Sequence, residues 1–104
     1  MAMDTFANQK YVERLLVLME DEQLYLFKEL SNRNIAGLLN VKKCDVDRLL
    51  YDCLGLKLTQ IIGMYRIQHA AGLLKAGIPY RELWKYSGFR SHAEMEREFE
   101  DVVR

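Results

Sequence analysis

Ile35-Ala36-Gly37-Leu38-Leu39-Asn40-Val41, followed by Val46-Asp47-Arg48-Leu49-Leu50, is the stretch on which the fold turns. A short apolar-faced segment runs to Asn40, a residue tolerant of left-handed backbone. Val41 is placed to plug the angle behind it, and a second segment follows with an apolar stripe and Arg48 on its outer side. These are the requirements of a helix-turn-helix unit. The pattern returns at Glu82-Leu83-Trp84, Gly88-Phe89 and Met95-Glu96-Arg97-Glu98-Phe99. The turn residues, 40 and 88, lie 48 apart and the outer arginines, 48 and 97, lie 49 apart, so the second turn is one residue longer. The chain reads as all-α, with two helix-turn-helix units joined by a long bridging helix and six to seven helices in total.

Working outward from the first unit, residues 1–30 form an N-terminal helix (about Asn8 to Glu20, with Tyr11 or Val12, Leu15, Leu16 and Met19 on one face) and a linker. The linker is anchored by Tyr25 and Phe27 and packs on the domain. The double unit occupies 31–104. Its first part, 31–55, has Ser31 as N-cap, turns Ile35, Leu38 and Leu39 inward, and continues into a helix from about Lys43 to Leu54. There Val46, Leu49, Leu50 and Cys53 make the buried stripe, with Gly55 as the stop. The outward set is Cys44, Asp45, Asp47, Arg48, Tyr51 and Asp52. A bridging helix over 59–76 has Thr59 as N-cap and closes at Gly77. The last part, 78–104, places Pro79 in a first helical turn and buries Leu83 and Trp84. It opens its final helix with Ser91-His92-Ala93-Glu94, a Ser-x-x-Glu capping box, and buries Met95, Phe99 and Val102 or Val103.

At 104 residues the chain buries roughly 60–70% of its unfolded surface, enough for a small core without metal or disulfide. No apolar run is long enough to span a membrane, and Met1-Ala2-Met3-Asp4 lacks the basic-then-apolar start of a secretion signal, so a cytoplasmic location is expected. Cys44 and Cys53, about 13 Å apart along one helix, are expected as free thiols. His69 and His92 have no neighbours at ligand spacing, so neither a metal nor a cofactor is expected. No nucleophile-base pairing or phosphate-cradling glycine loop occurs, which argues against an enzyme.

Two further segments sharpen the reading. Tyr65-Arg66-Ile67-Gln68-His69-Ala70-Ala71-Gly72-Leu73-Leu74 carries an Arg, then Ala, then paired leucines, and Ile78–Ser91 carries Gly88-Phe89-Arg90-Ser91. With the paired turns, these resemble the DNA-binding domain of the AraC family of bacterial transcription regulators, over about Glu22 to Arg104. The resemblance implies a sequence-specific DNA-binding regulator. Its helices after the two turns would enter successive major-groove segments of duplex DNA, roughly 34 Å apart. By position, the residues implied to face DNA are Cys44, Asp47, Arg48 and Tyr51 in the first unit and His92, Ala93, Glu96 and Arg97 in the second. Arg48 and Arg97 are the strongest candidates for direct contact, since an arginine can bridge guanine O6 and N7 or clamp a phosphate. Ser31, Lys42, Lys43, Thr59, Arg66 and Arg90 are the phosphate candidates. Capping alone is the better reading of Ser31 and Thr59, and pairing with an internal carboxylate the better reading of Arg66.

The chain departs from this pattern in its charge. Lysines and arginines number 15 and so do aspartates and glutamates. The helix after the first turn sets Asp45, Asp47 and Asp52 against Lys42, Lys43 and Arg48. The helix after the second sets Glu94, Glu96, Glu98, Glu100 and Asp101 against Arg97 alone, whereas binding strength on DNA tracks the phosphates neutralised. Family members also continue beyond the second unit with a Gly- and Pro-containing tail and a final helix, whereas this chain stops at Val103-Arg104. A truncated second unit, or a piece of a larger regulator with a fused or partner sensory domain, is therefore expected. The alternative reading keeps the fold and drops the activity: a degenerate module whose acidic last helix serves protein association, as a homodimer or as a decoy for a basic partner.

Overall fold

The computed structural model describes residues 5–103, and of the side chains only those of residues 8–101. Among them the chain is all-helical, with no strand. The helices are α1 (Thr5–Asp21), α2 (Asn32–Leu39), α3 (Lys43–Leu54), α4 (Leu58–Lys75), α5 (Leu83–Tyr86) and α6 (His92–Val103), with tight 3-10 turns at Leu24–Leu26 and Tyr80–Glu82. The expected all-α architecture of six to seven helices is the one adopted, with six α-helices among the described residues. The chain divides into two compact units. One holds the chain through Leu24 together with Leu30–Ile61, the other Tyr25–Glu29 together with the chain from Ile62 onward.

In the first unit α2 packs on α3, and α1 packs on both. Ser31 opens α2 in extended backbone, and its amide donates to Asn34 Oδ1 at 3.0 Å, a capping box closed by an Asn rather than a Glu. At the other end Asn40 sits at φ 58°. Its amide reaches the Gly37 carbonyl, and the Val41 amide reaches back to Ala36 at 3.0 Å. This six-to-one pairing around a left-handed residue satisfies the last carbonyls of α2 and sets the angle at which α3 departs.

The buried residues of α2 are Ile35, Ala36 and Leu39; Leu38, expected inward, is exposed. The small Ala36 lets that side of α2 approach its neighbours, which rotates the buried stripe away from Leu38. On α3, Val46, Leu49 and Leu50 are buried as expected, and Cys53 lies at the edge. Val12, Leu15 and Met19 of α1 complete the core, with Tyr11 and Leu16 half-buried.

The bridging helix begins at Leu58, one residue before the expected cap. Thr59 is an exposed residue inside the first turn. The free amides are met by other groups: the Lys57 amide donates to Gln60 Oε1 at 2.9 Å and the Leu58 amide to Asp47 Oδ1 at 2.9 Å. A carboxylate from α3 outcompetes a hydroxyl as acceptor at a helix start, because it also answers the helix dipole.

In the second unit Ile67, Ala70, Leu83, Phe89 and Met95 form the core, with Leu73, Ile78 and Trp84 packed at its margin. Gly77 closes α4 at φ 100°, and the Ile78 amide pairs with the Leu73 carbonyl at 3.1 Å. Pro79 precedes the 3-10 turn rather than sitting in an α-helical one. Trp84, expected in the core, is half-buried, with Lys28 Nζ 5.4 Å and Lys85 Nζ 6.0 Å from its ring. Phe89 plugs the second turn as expected. The α6 capping box is present on one side, Glu94 donating its amide to Ser91 Oγ at 3.1 Å. Met95 is buried, but Phe99 is 46% exposed, contrary to expectation, because no described element covers its end of α6. The side chains of Val102 and Val103, one or other of them expected inside, lie outside the described residues.

Residues Tyr25–Glu29 are built into this second unit. Tyr25 is buried and stacks on Tyr65, with ring centroids 5.5 Å apart, and its hydroxyl lies 3.2 Å from His69 Nδ1. Phe27, the second expected anchor, is exposed instead. What holds this segment is its backbone: Arg66 donates from Nε to the Tyr25 carbonyl at 2.7 Å and from Nη2 to the Phe27 carbonyl at 3.0 Å.

Candidate nucleic-acid interface

The locked α2–α3 turn leaves one side of α3 facing solvent. Cys44, Arg48 and Tyr51 are exposed there, at the i, i+4, i+7 spacing of one helical face, with Asp52 beside them and Lys42 and Lys43 at the helix start. Of the acids that crowd this helix in the sequence, one is engaged by other elements and one by Arg48 of the face itself. Asp45 is half-buried and pairs with Arg48 across one turn. Asp47 accepts from Asn32 Nδ2 at 3.1 Å through one oxygen and from the Leu58 amide through the other, tying together the starts of α2 and α4. Expected among the base-facing residues, Asp47 is half-buried and turned to these internal donors. Asp52 is therefore the one carboxylate of α3 left exposed against Lys42 and Lys43.

Of the phosphate candidates in this unit, Lys42 and Lys43 are exposed. Ser31 is engaged in the cap of α2, its hydroxyl 2.9 Å from Asn34 Oδ1. Thr59 is exposed on the first turn of α4, whose leading amides already have protein acceptors.

On α6, Ala93 and Arg97 are exposed one turn apart, and Arg97 makes no ion pair or hydrogen bond among the described residues. Glu96 is less free. It accepts from the Tyr80 hydroxyl at 3.4 Å and lies 3.3 Å from His92 Nε2, while the His92 and Tyr80 rings meet edge to face at 5.1 Å. Glu94 faces inward, within 4.0 Å of Arg66. Glu98 lies over Gly63 of α4, filling the space a Cβ there would need. Its carboxyl is pushed above the ordinary carboxylate range, first by burial and then by Asp101. Glu100 and Asp101 remain exposed.

The two remaining phosphate candidates are occupied to different degrees. Arg90 is exposed and pairs with Glu29 at 3.0 Å. Arg66 has a side chain only 11% exposed. Its fork is closed on the Tyr25 and Phe27 carbonyls, and the guanidinium lies 5.9 Å from the Phe89 ring centroid. Burial holds its pKa below the ordinary arginine value, while Glu94 and Glu98 pull it back up.

Sequence reasoning missed Asn32, Gln60, Glu29 and Tyr80. Gln60, three residues after Lys57, carries the capping-box spacing and was legible; the others act over long separations that leave no local pattern. Among the described residues no group of three or more His, Cys, Asp or Glu is placed to hold a metal ion, and no helix is long and apolar enough to cross a membrane. No family model, curated protein or solved structure matches the chain.

Proposed function

We propose that the chain is a DNA-binding transcription regulator domain of the AraC type, acting in the cytoplasm. It reads a bipartite duplex site with α3 and α6. The observation that carries the proposal is the exposed face of α3: Lys42, Lys43, Cys44, Arg48 and Tyr51 stand together behind a turn locked by left-handed Asn40. Asp47 is meanwhile held by Asn32 and the Leu58 amide, whereas Asp45 pairs with Arg48 itself and gives it up when Arg48 turns to DNA. A cationic face on a rigid helix is what phosphate positioning and groove readout both need. Arg97 supplies the matching cation on α6.

The test is selection of bound duplexes from a randomised library at about 50 mM salt, followed by titration to about 200 mM. Two short enriched motifs about ten base pairs apart support readout by both units. A single motif restricts reading to α3, and no enrichment at all rejects the proposal.

A second reading, protein association through α6, is favoured by the exposed Glu96, Glu100 and Asp101 standing against Arg97 alone. Sedimentation, and mixing with nonspecific duplex at low salt, separate the two: a monomer with phosphate affinity favours DNA binding.

A further inference from the structure

The second unit carries an apolar cleft of about 110 Å³, lined by Ile67 and Leu74 of α4, Tyr80 and Leu83 after it, and Met95 and Phe99 of α6. None of it is needed for the proposed reading of DNA. Leu74, Tyr80 and Phe99 are 49, 45 and 46% exposed, so three large apolar groups around one cleft remain in water. Scattered exposed apolar residues are ordinary, but a cluster around a concavity marks an interaction site.

The geometry favours a helix as occupant. Ile67 and Leu74 are seven residues apart on α4 and Met95 and Phe99 four apart on α6, so each wall is a ridge along a helix axis. A groove between two such ridges is the shape into which an amphipathic helix lays its apolar stripe. The volume admits one anchoring side chain of about the size of Leu.

The charge beside the cleft narrows the partner. Glu96 accepts a hydrogen bond from the Tyr80 hydroxyl, and Glu100 follows one turn later on the same side of α6. Tyr80 lines the cleft, so its hydrogen bond sets the Glu96 carboxylate at the cleft's edge. Among the described residues Glu100 has no ion-pair partner. This acidic edge complements a helix with a basic flank.

We propose that this cleft docks an amphipathic helix of a partner protein, with apolar residues at i, i+4 and i+7 laid along the groove, one of them anchored in the cleft between α4 and α6, and its Lys- or Arg-bearing flank facing Glu96 and Glu100.

The test titrates the full chain with a synthetic helical peptide carrying Leu at i, i+4 and i+7 and Lys along one flank, followed by amide and methyl NMR shifts. A second peptide carries Glu in place of Lys. The expected result is shifts concentrated at Leu74, Tyr80, Leu83 and Phe99, and binding of the Lys peptide at least about tenfold tighter at low salt. Glu96→Lys with Glu100→Lys should reverse that order. Phe99→Ser, at a half-exposed position, should remove binding while the thermal transition persists. If Phe99→Ser fails to fold, the charge-reversed pair still decides.

Equal binding of both peptides, shifts centred elsewhere, or self-association of the chain that Phe99→Ser abolishes would each overturn the proposal, the last by identifying a second copy as the occupant. No DNA enters the experiment, so its failure is separate from failure of the DNA-binding reading.

Discussion

Arg66 on α4 donates its Nε hydrogen to the backbone carbonyl of Tyr25, 41 residues earlier, at 2.7 Å. The same guanidinium reaches the Phe27 carbonyl, so one side chain fixes the path of a segment that has little regular structure of its own. Arg66→Met should remove both donors and leave two carbonyls and Glu94 without their cation, at a cost of about 2–4 kcal/mol in urea unfolding. Arg66→Lys should recover only part of this, since an ammonium cannot present the planar fork. A loss below about 0.5 kcal/mol in Arg66→Met would show that the other contacts of the segment, Tyr25 on Tyr65, Lys28 over Trp84 and Glu29 with Arg90, hold it without the fork.

Gly88 has φ 88°, and a Cβ there would run into the Tyr25 carbonyl and the Arg66 fork. Neither the backbone nor the guanidinium can yield cheaply. Gly88→Ala is expected to cost about 2 kcal/mol or more. Gly63→Ala makes the contrast: the nearest atoms a Cβ there meets belong to the flexible Glu98 side chain, from Cγ outward, which can swing to solvent. The gain in helix propensity, about 1 kcal/mol, should leave that variant within about 1 kcal/mol of wild type. Thermal melts of the pair check both.

Asp47 and Arg48 are neighbours on α3 with different expected roles. Asp47→Ala should lower stability by about 1–2 kcal/mol, since it strips the acceptor from the Leu58 amide and from Asn32. Its DNA salt dependence should match wild type. Arg48→Ala and Arg97→Ala should do the reverse, costing about 1–3 kcal/mol in binding to a selected site while melting as wild type does. Lys42→Ala should weaken binding across all sequences and reduce the salt slope by about one. Binding measured at several salt concentrations, beside melts of the same variants, sorts the roles.

Glu98 gives a pH prediction. Its carboxyl is held above its ordinary range, chiefly by burial, so the folded chain binds this proton more tightly than the unfolded chain does. Its contribution to stability therefore falls as pH rises from the unfolded carboxylate value through the raised folded one. Glu98→Gln should unfold at higher urea than wild type near pH 8, and the advantage should vanish near pH 3, below the unfolded carboxylate value, where the carboxyl is neutral in both states. Because Glu98 is partly exposed, solvent screening keeps the effect small. An advantage that persists unchanged at low pH would mean that packing, not charge, is responsible.

Much of this fold was legible before any coordinates. Asn40 and Gly88 are both left-handed, as the paired turns required, and Val46, Leu49 and Leu50 are buried at the spacing that marked them. The misplacements share a cause. Periodicity tells which side of a helix is apolar, but not whether another element arrives to cover it, so Phe99 and Leu38 were placed inside and lie in water. Thr59 was chosen as a cap from its type alone, whereas the acceptor that serves α4 comes from α3, eleven residues away. The surplus of acid on α3 and α6 was overcounted for the same reason, since sequence cannot show that Asp47, Glu94 and Glu98 face protein groups.

The five residues Tyr25–Glu29 belong to the second unit although the chain on either side of them belongs to the first. The paired pattern in the sequence suggests tandem cassettes, each able to be copied, swapped or expressed alone. The chain path forbids that. A fragment beginning at Ile62 would present the Arg66 fork and the open face of Gly88 with nothing to close on, and one ending at Ile61 would carry Tyr25 away from Tyr65. Recombination between relatives could exchange these halves only by cutting in three places at once, so the domain should be inherited, engineered and degraded as a single piece.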